Sequence, residues 1–410
     1  MKMTILPCRP TGIVRAPASK SFAHRLLIAA ALAKTKSTLT IADTSADIEA
    51  TARCLQSLGV FITQNGDKWT VEPPKTWNKR ATLDCGESGS TLRFLLPVAA
   101  ANGVDAVFTG RGKLPERPNE PLISAMKAHG VSISDGFPIR ISGQLQPGDY
   151  TLRGDVSSQF ATGLLFALSG LYAPSTLTLT PPVSSKAYLD ITVDVLRSFG
   201  ADITQKDTTY IIRPATLHGG TFTAEGDWSN GAALLACGFA VQGLRPDSLQ
   251  GDRAFLQILQ NAGAKMRKET GAIRLDLSDL RFPAIDADPI PDLVPVLAAL
   301  AATANGETRI YNAARLRLKE SDRLASTEAL LRALGADMTQ TDDGLLIHGK
   351  PQLTGGTANS ANDHRIVMAA AVAAQKCLSP VVIDGAQAIN KSFPTFFELY
   401  NAHGGSSYVL

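Results

Sequence analysis

The chain has 410 residues, of which 44% are apolar and 19% charged; this suits two ordinary folded domains and excludes a disordered chain. Lys and Arg total 40 against 37 Asp and Glu, and a net charge of only +3 gives no electrostatic case for DNA or RNA as the main partner. No apolar run reaches the roughly 18 residues of a membrane helix, and the opening MKMTILPCRP has no signal-peptide core, so a cytoplasmic protein is expected. The five cysteines (Cys8, Cys54, Cys85, Cys237, Cys377) are scattered and never form a CxxC pair, which reads as reduced thiols with neither a disulfide frame nor a zinc site.

The chain repeats one pattern six times. Short strand candidates near Thr4–Val14 come first. PASKSFAHR then opens an Ala-rich run, RLLIAAALA, followed by the strand candidate STLTIA and the helix-to-strand stretch RCLQSLGVFIT. CGESGSTLR opens LRFLLPVAAA, DAVFTG follows, and SAMKAHGVSIS closes the second copy. DVSSQF opens FATGLLFALSG, then STLTLT and DVLRSFGADIT. After a polar break at Pro214–Asp227, GDWSNG opens GAALLACGFAV and leads to QILQNAGAKMR. PIPDL opens LVPVLAALAATA, then TRIYNA and LLRALGADMT; NDHR opens RIVMAAAVAAQ and leads to FELYNAHGGSSYV. The closing glycines, Gly59, Gly130, Gly200, Gly263, Gly335 and Gly404, are 71, 70, 63, 72 and 69 residues apart.

Each closing glycine suits the left-handed residue that ends a helix, and the change from helical to twofold periodicity after it marks a strand. Small residues let helices approach one another closely, so the Ala-rich runs are expected as inner helices and the amphipathic ones as outer cover. Six copies divide naturally into three plus three. One domain is expected from residues 1–16 and 226–410, with the first strands completing the last copy, and the other from residues 17–225.

The chemistry lies in the loops that open these helices. Ser or Asn there is singly an ordinary cap. Lys20, Arg25, Arg93 and Arg365 in the same first turns oppose the helix dipole and call for something negative nearby. Arg117, Lys319, Arg323 and Lys391 recur at the openings of the outer helices, about twelve residues before the closing glycines. Singly, a surface cation is usually just solvated. Eight cations at loop positions of a near-neutral chain imply an electropositive cleft between the halves for a small ligand with several negative charges, phosphate or carboxylate. No Walker loop, GxGxxG, GxSxG or HExxH is present, and His364, a single His outside any metal-ligand motif, reads as a phosphate or backbone donor, so no metal is expected. Asp292 and Glu320 sit among these cations and, with Lys20, are candidates for moving protons.

These loops resemble the 5-enolpyruvylshikimate-3-phosphate synthase family along the whole chain: PASKSFAHR, ESGSTLR, ERPNEPL, SSQF, SSKAYLDIT, PIPDL, LKESDR, NDHR and NKSFP occur in the family's order and spacing. The resemblance implies an α/β fold of two domains, each of three βαβαββ units (an inside-out α/β barrel), with inner helices directed at the interdomain cleft. It implies transfer of the enolpyruvyl group of phosphoenolpyruvate to the 5-hydroxyl of shikimate 3-phosphate, by addition and elimination through a tetrahedral intermediate. Such an enzyme serves chorismate and aromatic amino acid biosynthesis, as a monomer without metal or organic cofactor. Implied catalytic residues are Asp292, Glu320 and Lys20. Implied contacts to shikimate 3-phosphate are Lys20, Ser21, Arg25, Ser157, Ser158, Gln159, Ser185, Asp292, Arg315 and Lys319, with Tyr188 nearby. Implied contacts to phosphoenolpyruvate are Lys20, Gly89, Arg117, Gln159, Arg323, Arg365 and Lys391.

The chain departs from the commonest family pattern at Ala18, where Gly is usual, at Ala23–His24 (Ser–Asn) and at Glu87–Ser88 (Asn–Ala). Arg315 stands where many members have an Asn. Gly89 is kept, so glyphosate, a phosphonate mimic of phosphoenolpyruvate, should compete. A related enolpyruvyl transferase acting on UDP-N-acetylglucosamine is the nearest rival, but its reactive Cys is missing from GRGKLPERP and it lacks the SSQ loop. A non-catalytic sensor of phosphorylated metabolites would need the cations without the carboxylates.

Overall fold

A computed structural model describes all residues from Met1 to Leu410. Twelve helices alternate in the two kinds expected. They are α1 (Lys20–Leu32), α2 (Ala46–Ser57), α3 (Gly89–Ala101), α4 (Glu120–Lys127), α5 (Ser158–Leu168) and α6 (Lys186–Ser198). The second half has α7 (Trp228–Ala236), α8 (Ala254–Asn261), α9 (Val294–Ala301), α10 (Arg323–Ala333), α11 (His364–Ala374) and α12 (Phe396–Ala402). The odd-numbered helices are the Ala-rich inner ones: every residue of α9 and α11 is buried. The even-numbered ones bury one face, as α4 does with Leu122 and Met126. All six closing glycines adopt positive φ, from 85° at Gly404 to 103° at Gly59, and so end their helices where a side chain would be strained.

The chain forms two compact units, Met1–Pro17 with Glu225–Leu410, and Ala18–Ala224. Each has its own apolar core. Each unit holds three four-stranded sheets with one shared topology. In the sheet that carries α3, Arg80–Asp84 runs parallel to Asp105–Thr109. Ile139–Gly143 pairs antiparallel with the latter, and Val131–Ile133 pairs antiparallel with Ile139–Gly143. A parallel crossover needs a helix, which is why α3, α5, α9 and α11 each lie between the first two strands of their copies. No helix is long and apolar enough to cross a membrane.

The chain termini depart from the sequence expectation in one respect. Lys2–Ile5 does complete the last sheet, between Val381–Asp384 and Ser407–Val409. Ile13–Arg15, in contrast, is the first strand of the fourth copy, parallel to Ala240–Gln242. Thr221–Thr223, inside the polar break, supplies the missing first strand of the first copy, parallel to Ser37–Thr40. Both are edge strands of three residues, too short for alternation to show in the sequence.

Candidate functional site

The inner helices start where the loop markers lie, and most are capped by them. Ser19, Ser88 and Ser157 accept from backbone N–H groups of Phe22, Thr91 and Gln159, and Asp227 and Asp363 from those of Asn230 and Arg365. The exception is α9, which has no side-chain cap, and there Asp292 is turned toward Arg323 instead. The candidate residues fall into two clusters, one in each unit.

In the Ala18–Ala224 unit, Lys20 Nζ meets Asp47 Oδ2 at 3.0 Å. Arg25 is buried, and none of its partners is a carboxylate. It donates through Nε to Thr192 Oγ1 at 2.8 Å, through Nη1 to the Ser21 carbonyl at 2.8 Å and through Nη2 to the Tyr188 carbonyl at 2.9 Å. Burial lowers this guanidinium to about 9, so it stays charged at neutral pH. An uncompensated buried cation of this kind is suited to an arriving anion. Arg93 holds Gln159, donating from Nη1 to Oε1 at 2.6 Å, while Gln159 Nε2 donates to Ser90 Oγ at 3.0 Å. This contact is possible because Gly163 lets α5 lie against α3: a Cβ there would fall 2.2 Å from the Arg93 carbonyl oxygen. The Arg117 guanidinium rests on Gly89, where a Cβ would stand 2.7 Å from Nη1. Ser158 is the first residue of α5, after the cap Ser157. Ser185 precedes α6 in a left-handed conformation, φ 53°, and its hydroxyl does not cap the helix. Strain at a non-glycine residue is the kind of feature that collects at binding sites.

In the other unit, Arg323 is a hub, 1% exposed. Its Nε donates to Asp363 Oδ2 at 2.9 Å, Nη1 to Asp292 Oδ1 at 2.7 Å and Nη2 to Glu320 Oε2 at 2.7 Å. Nη2 also reaches Asp363 Oδ1 at 3.4 Å, leaving this guanidinium one uncommitted N–H for a ligand. Lys319 Nζ lies 3.9 Å from Asp292 Oδ1, and Arg365 Nη2 lies 3.7 Å from Asp292 Oδ2. Burial opposes the Asp292 charge, but Lys319, Arg365 and Arg323 outweigh it and hold the carboxyl well below its ordinary range. Burial also lowers the Lys319 ammonium, against the pull of Asp292. Arg365 donates from Nη1 to Asn230 Oδ1 at 3.3 Å, while its buried Nε has no partner. His364 Nδ1 sits 3.8 Å from Asp363 Oδ1. Lys391 Nζ donates to the Asn362 carbonyl at 2.6 Å. Arg315 is tied to Asp288, through the backbone carbonyl and through Oδ1 at 3.3 Å, so much of its charge is matched within its own unit.

Two details differ from the sequence reading. Arg117 and Lys391 do not open outer helices: they end 3₁₀ turns, Leu114–Glu116 and Ala386–Lys391, that precede α4 and α12. Pro118, directly after Arg117, and Pro394, three residues after Lys391, delay the helix and leave these cations on the turn.

The sequence reading also passed over two acids. Asp47 stands twelve residues before Gly59, and Asp252 eleven before Gly263, the repeat position at which Arg323 precedes Gly335 by twelve. A search of that position for charge of either sign would have found both. Asp252 is buried, accepts a short hydrogen bond from Ser229 Oγ, and keeps Oδ1 without a partner. Burial, then the nearby Asp292 charge, raises it to about 7 against the opposing pull of Ser229 and Arg365.

A family model described as EPSP synthase (3-phosphoshikimate 1-carboxyvinyltransferase) matches residues 7–399. A protein of Clostridium kluyveri named 3-phosphoshikimate 1-carboxyvinyltransferase is 42% identical over 414 residues, covering 98% of this chain and 97% of that one. One of the same name from Clostridium acetobutylicum is 38% identical over 416 residues, with the same coverage. Among solved structures, an EPSP synthase of Acinetobacter baumannii superposes with a TM-score of 0.79 at 26% identity, covering 100% of both chains. With its repeats, its loops and its two clusters accounted for, the chain belongs to the EPSP synthase family.

Proposed function

We propose that this protein transfers the enolpyruvyl group of phosphoenolpyruvate to the 5-hydroxyl of shikimate 3-phosphate, releasing inorganic phosphate, and that residues of both clusters serve this reaction. The observation that carries this reading is the grouping of Asp292 and Glu320 on Arg323, with Lys319 and Arg365 against Asp292. A binder of anions needs the cations only; carboxylates among them suit proton transfer.

In addition, the 5-hydroxyl loses a proton as its oxygen bonds to carbon 2 of the enol, and carbon 3 gains one. In elimination, carbon 3 gives its proton back and the carbon–oxygen bond to phosphate breaks. Asp292 takes the hydroxyl proton. Lys319 and Arg365 hold that carboxylate at low basicity; as these cations turn to the incoming phosphate and carboxylate groups, Asp292 becomes a stronger base at the moment it is needed. Glu320 and Lys20 carry the proton traffic at carbon 3. Arg117 on Gly89, with Arg365, Lys391 and the last N–H of Arg323, receives phosphoenolpyruvate. Arg25, Ser157, Ser158, Gln159 and Ser185 receive the phosphoshikimate. The chemistry requires proton transfer and charge neutralisation alone, so it calls for no cofactor; the enzyme is read as a cytoplasmic monomer.

The test is phosphate release with both substrates. Release that depends on phosphoenolpyruvate and shikimate 3-phosphate together is expected. Binding without release would identify a sensor, and release with UDP-N-acetylglucosamine instead would identify the rival transferase.

A further inference from the structure

A buried polar chain joins the first three helices. His24 Nδ1 lies 2.7 Å from Thr51 Oγ1, which lies 2.7 Å from Thr91 Oγ1. Thr91 Oγ1 donates to Ser88 Oγ at 2.8 Å, and Ser88 Oγ in turn accepts from the Thr91 backbone N–H at 3.2 Å. None of the four side chains is more than 1% exposed. His24 and Ser88 are two of the positions at which the sequence departs from the commonest family pattern. They are 64 residues apart in the chain, yet they stand at the two ends of one network.

The chain has a direction. Each hydroxyl has one proton to give. If Thr91 gives its own to Ser88, it accepts from Thr51, and Thr51 accepts from His24. The imidazole is then neutral with its proton on Nδ1. Its Nε2, buried edge-on to Phe94 at a ring separation of 6.3 Å, has no partner. Burial, with Lys20 and Arg25 beside it, holds His24 well below its ordinary value, which agrees with a neutral ring.

The network meets the candidate site at both ends. Lys20 lies on the first turn of α1, one turn from His24, and its ammonium is held by the Asp47 side chain. The backbone carbonyl of the same Asp47 lies 3.5 Å from Thr91 Oγ1. Ser88 caps α3 and immediately precedes Gly89, on which Arg117 rests. Between α1 and α3 the large side chains that meet are His24 and Arg25 against Phe94, whereas α2 packs on both helices. The hydrogen-bonded chain from His24 to Ser88 fixes α1 relative to α3, because any slide would leave several further donors and acceptors unpaired.

We propose that His24, Thr51, Thr91 and Ser88 are positioning residues that lock the Lys20 turn to the Gly89–Arg117 cradle, with α2 as the strut between them. The inference rests on the reading that this cradle holds phosphoenolpyruvate. None of the four needs to touch a substrate.

Thr51→Val keeps the shape and cuts the chain in the middle, and Thr51→Ser restores the hydroxyl. Thr51→Val should raise KM for phosphoenolpyruvate and Ki for glyphosate about tenfold, the effect of stranding one buried hydrogen-bonding group. KM for shikimate 3-phosphate should stay within about twofold, and Thr51→Ser should return all three toward the parent values. Amide exchange across residues 88–91 should speed up in Thr51→Val and not in Thr51→Ser, and nitrogen NMR of the parent should show His24 as the Nδ1–H tautomer. Ser88→Ala, at the far end, should shift the phosphoenolpyruvate constants the same way and be less than additive with Thr51→Val. In an active parent enzyme, an unchanged KM for phosphoenolpyruvate in both variants, or equal rises for both substrates, overturns the proposal. A parent that releases no phosphate defeats the functional reading instead. The exchange and NMR measurements then still decide, and unaltered exchange at residues 88–91 overturns the chain as a lock.

Discussion

Gly89→Ala sets two magnitudes of opposite sign against each other. An added Cβ would stand 2.7 Å from Arg117 Nη1, 3.0 Å from Cζ and 3.1 Å from Nη2. An unstrained contact needs about 3.5 Å, so the guanidinium must retreat by about 0.8 Å. It can do so, because it is the far end of a flexible side chain. Fold stability therefore should not suffer, and alanine at the first position of α3 should gain a few tenths of a kcal/mol over glycine, less than the roughly 0.5–1 kcal/mol of a helix interior. Binding should suffer: misplacing a positioning group by about 1 Å costs on the order of 100-fold, so kcat/KM for phosphoenolpyruvate should fall by some tens-fold. Glyphosate should lose at least as much. Steady-state kinetics with each substrate varied, glyphosate Ki and urea melts of the same preparation give the three numbers. A folded variant whose phosphoenolpyruvate KM and glyphosate Ki stay within about twofold of the parent refutes the reasoning. A drop in stability of about 2 kcal/mol would refute its other half.

The remaining predictions concern the second cluster. Arg323→Met removes the shared partner of Asp292, Glu320 and Asp363, leaving Asp292 only the more distant Lys319 and Arg365, and should cost about 3–5 kcal/mol in urea melts at pH 7. The Asp292 carboxyl is depressed in the folded protein, so its stabilising contribution is present above pH ~4 and lost as pH falls through the lower folded value; the gap between Arg323→Met and the parent should therefore narrow in acid. Asp252 runs the other way. Its folded value of about 7 lies above the ordinary 3.8, so the folded state holds the proton more tightly, and that contribution is present below pH ~4 and lost as pH rises through 7. Asp252→Asn should equal the parent near pH 4 and exceed it by up to about 4 kcal/mol at pH 8, measured by melts at both values. Asp292→Asn should lower kcat by about 100- to 10,000-fold with little change in either KM; an equal loss of substrate binding would make it a structural residue.

Much of this architecture was legible in the sequence because it is written six times. A single Gly after an apolar run is weak evidence of a helix end; six at a near-constant spacing reinforce one another, and all six have positive φ. The inner-helix starts could be read for the same reason, and Ser19, Ser88, Ser157, Asp227 and Asp363 turned out to cap them. What could not be read was partnership at a distance. Arg323 was legible as a recurrent cation, but nothing local says that three carboxylates occupy it. Asp47 and Asp252 share its repeat position and were missed because the pattern sought was positive charge. The exchange of edge strands at Ile13–Arg15 and Thr221–Thr223 rests on three residues each, less than two full alternations. His24 and Ser88 were visible as departures from a common pattern, whereas Thr51, which connects them to each other through Thr91, stood out in no way.

The placement of Lys2–Ile5 between Val381–Asp384 and Ser407–Val409 has a consequence for biosynthesis. Ribosomes make this strand long before either of its neighbours, which follow the whole Ala18–Ala224 unit in the chain. Until then it hangs as an unsatisfied β segment, open to the wrong partners. The Ala18–Ala224 unit has no such dependence and is complete once its last strand has left the exit tunnel. Between the two events the nascent polypeptide carries a completed Ala18–Ala224 unit beside a strand still without its sheet.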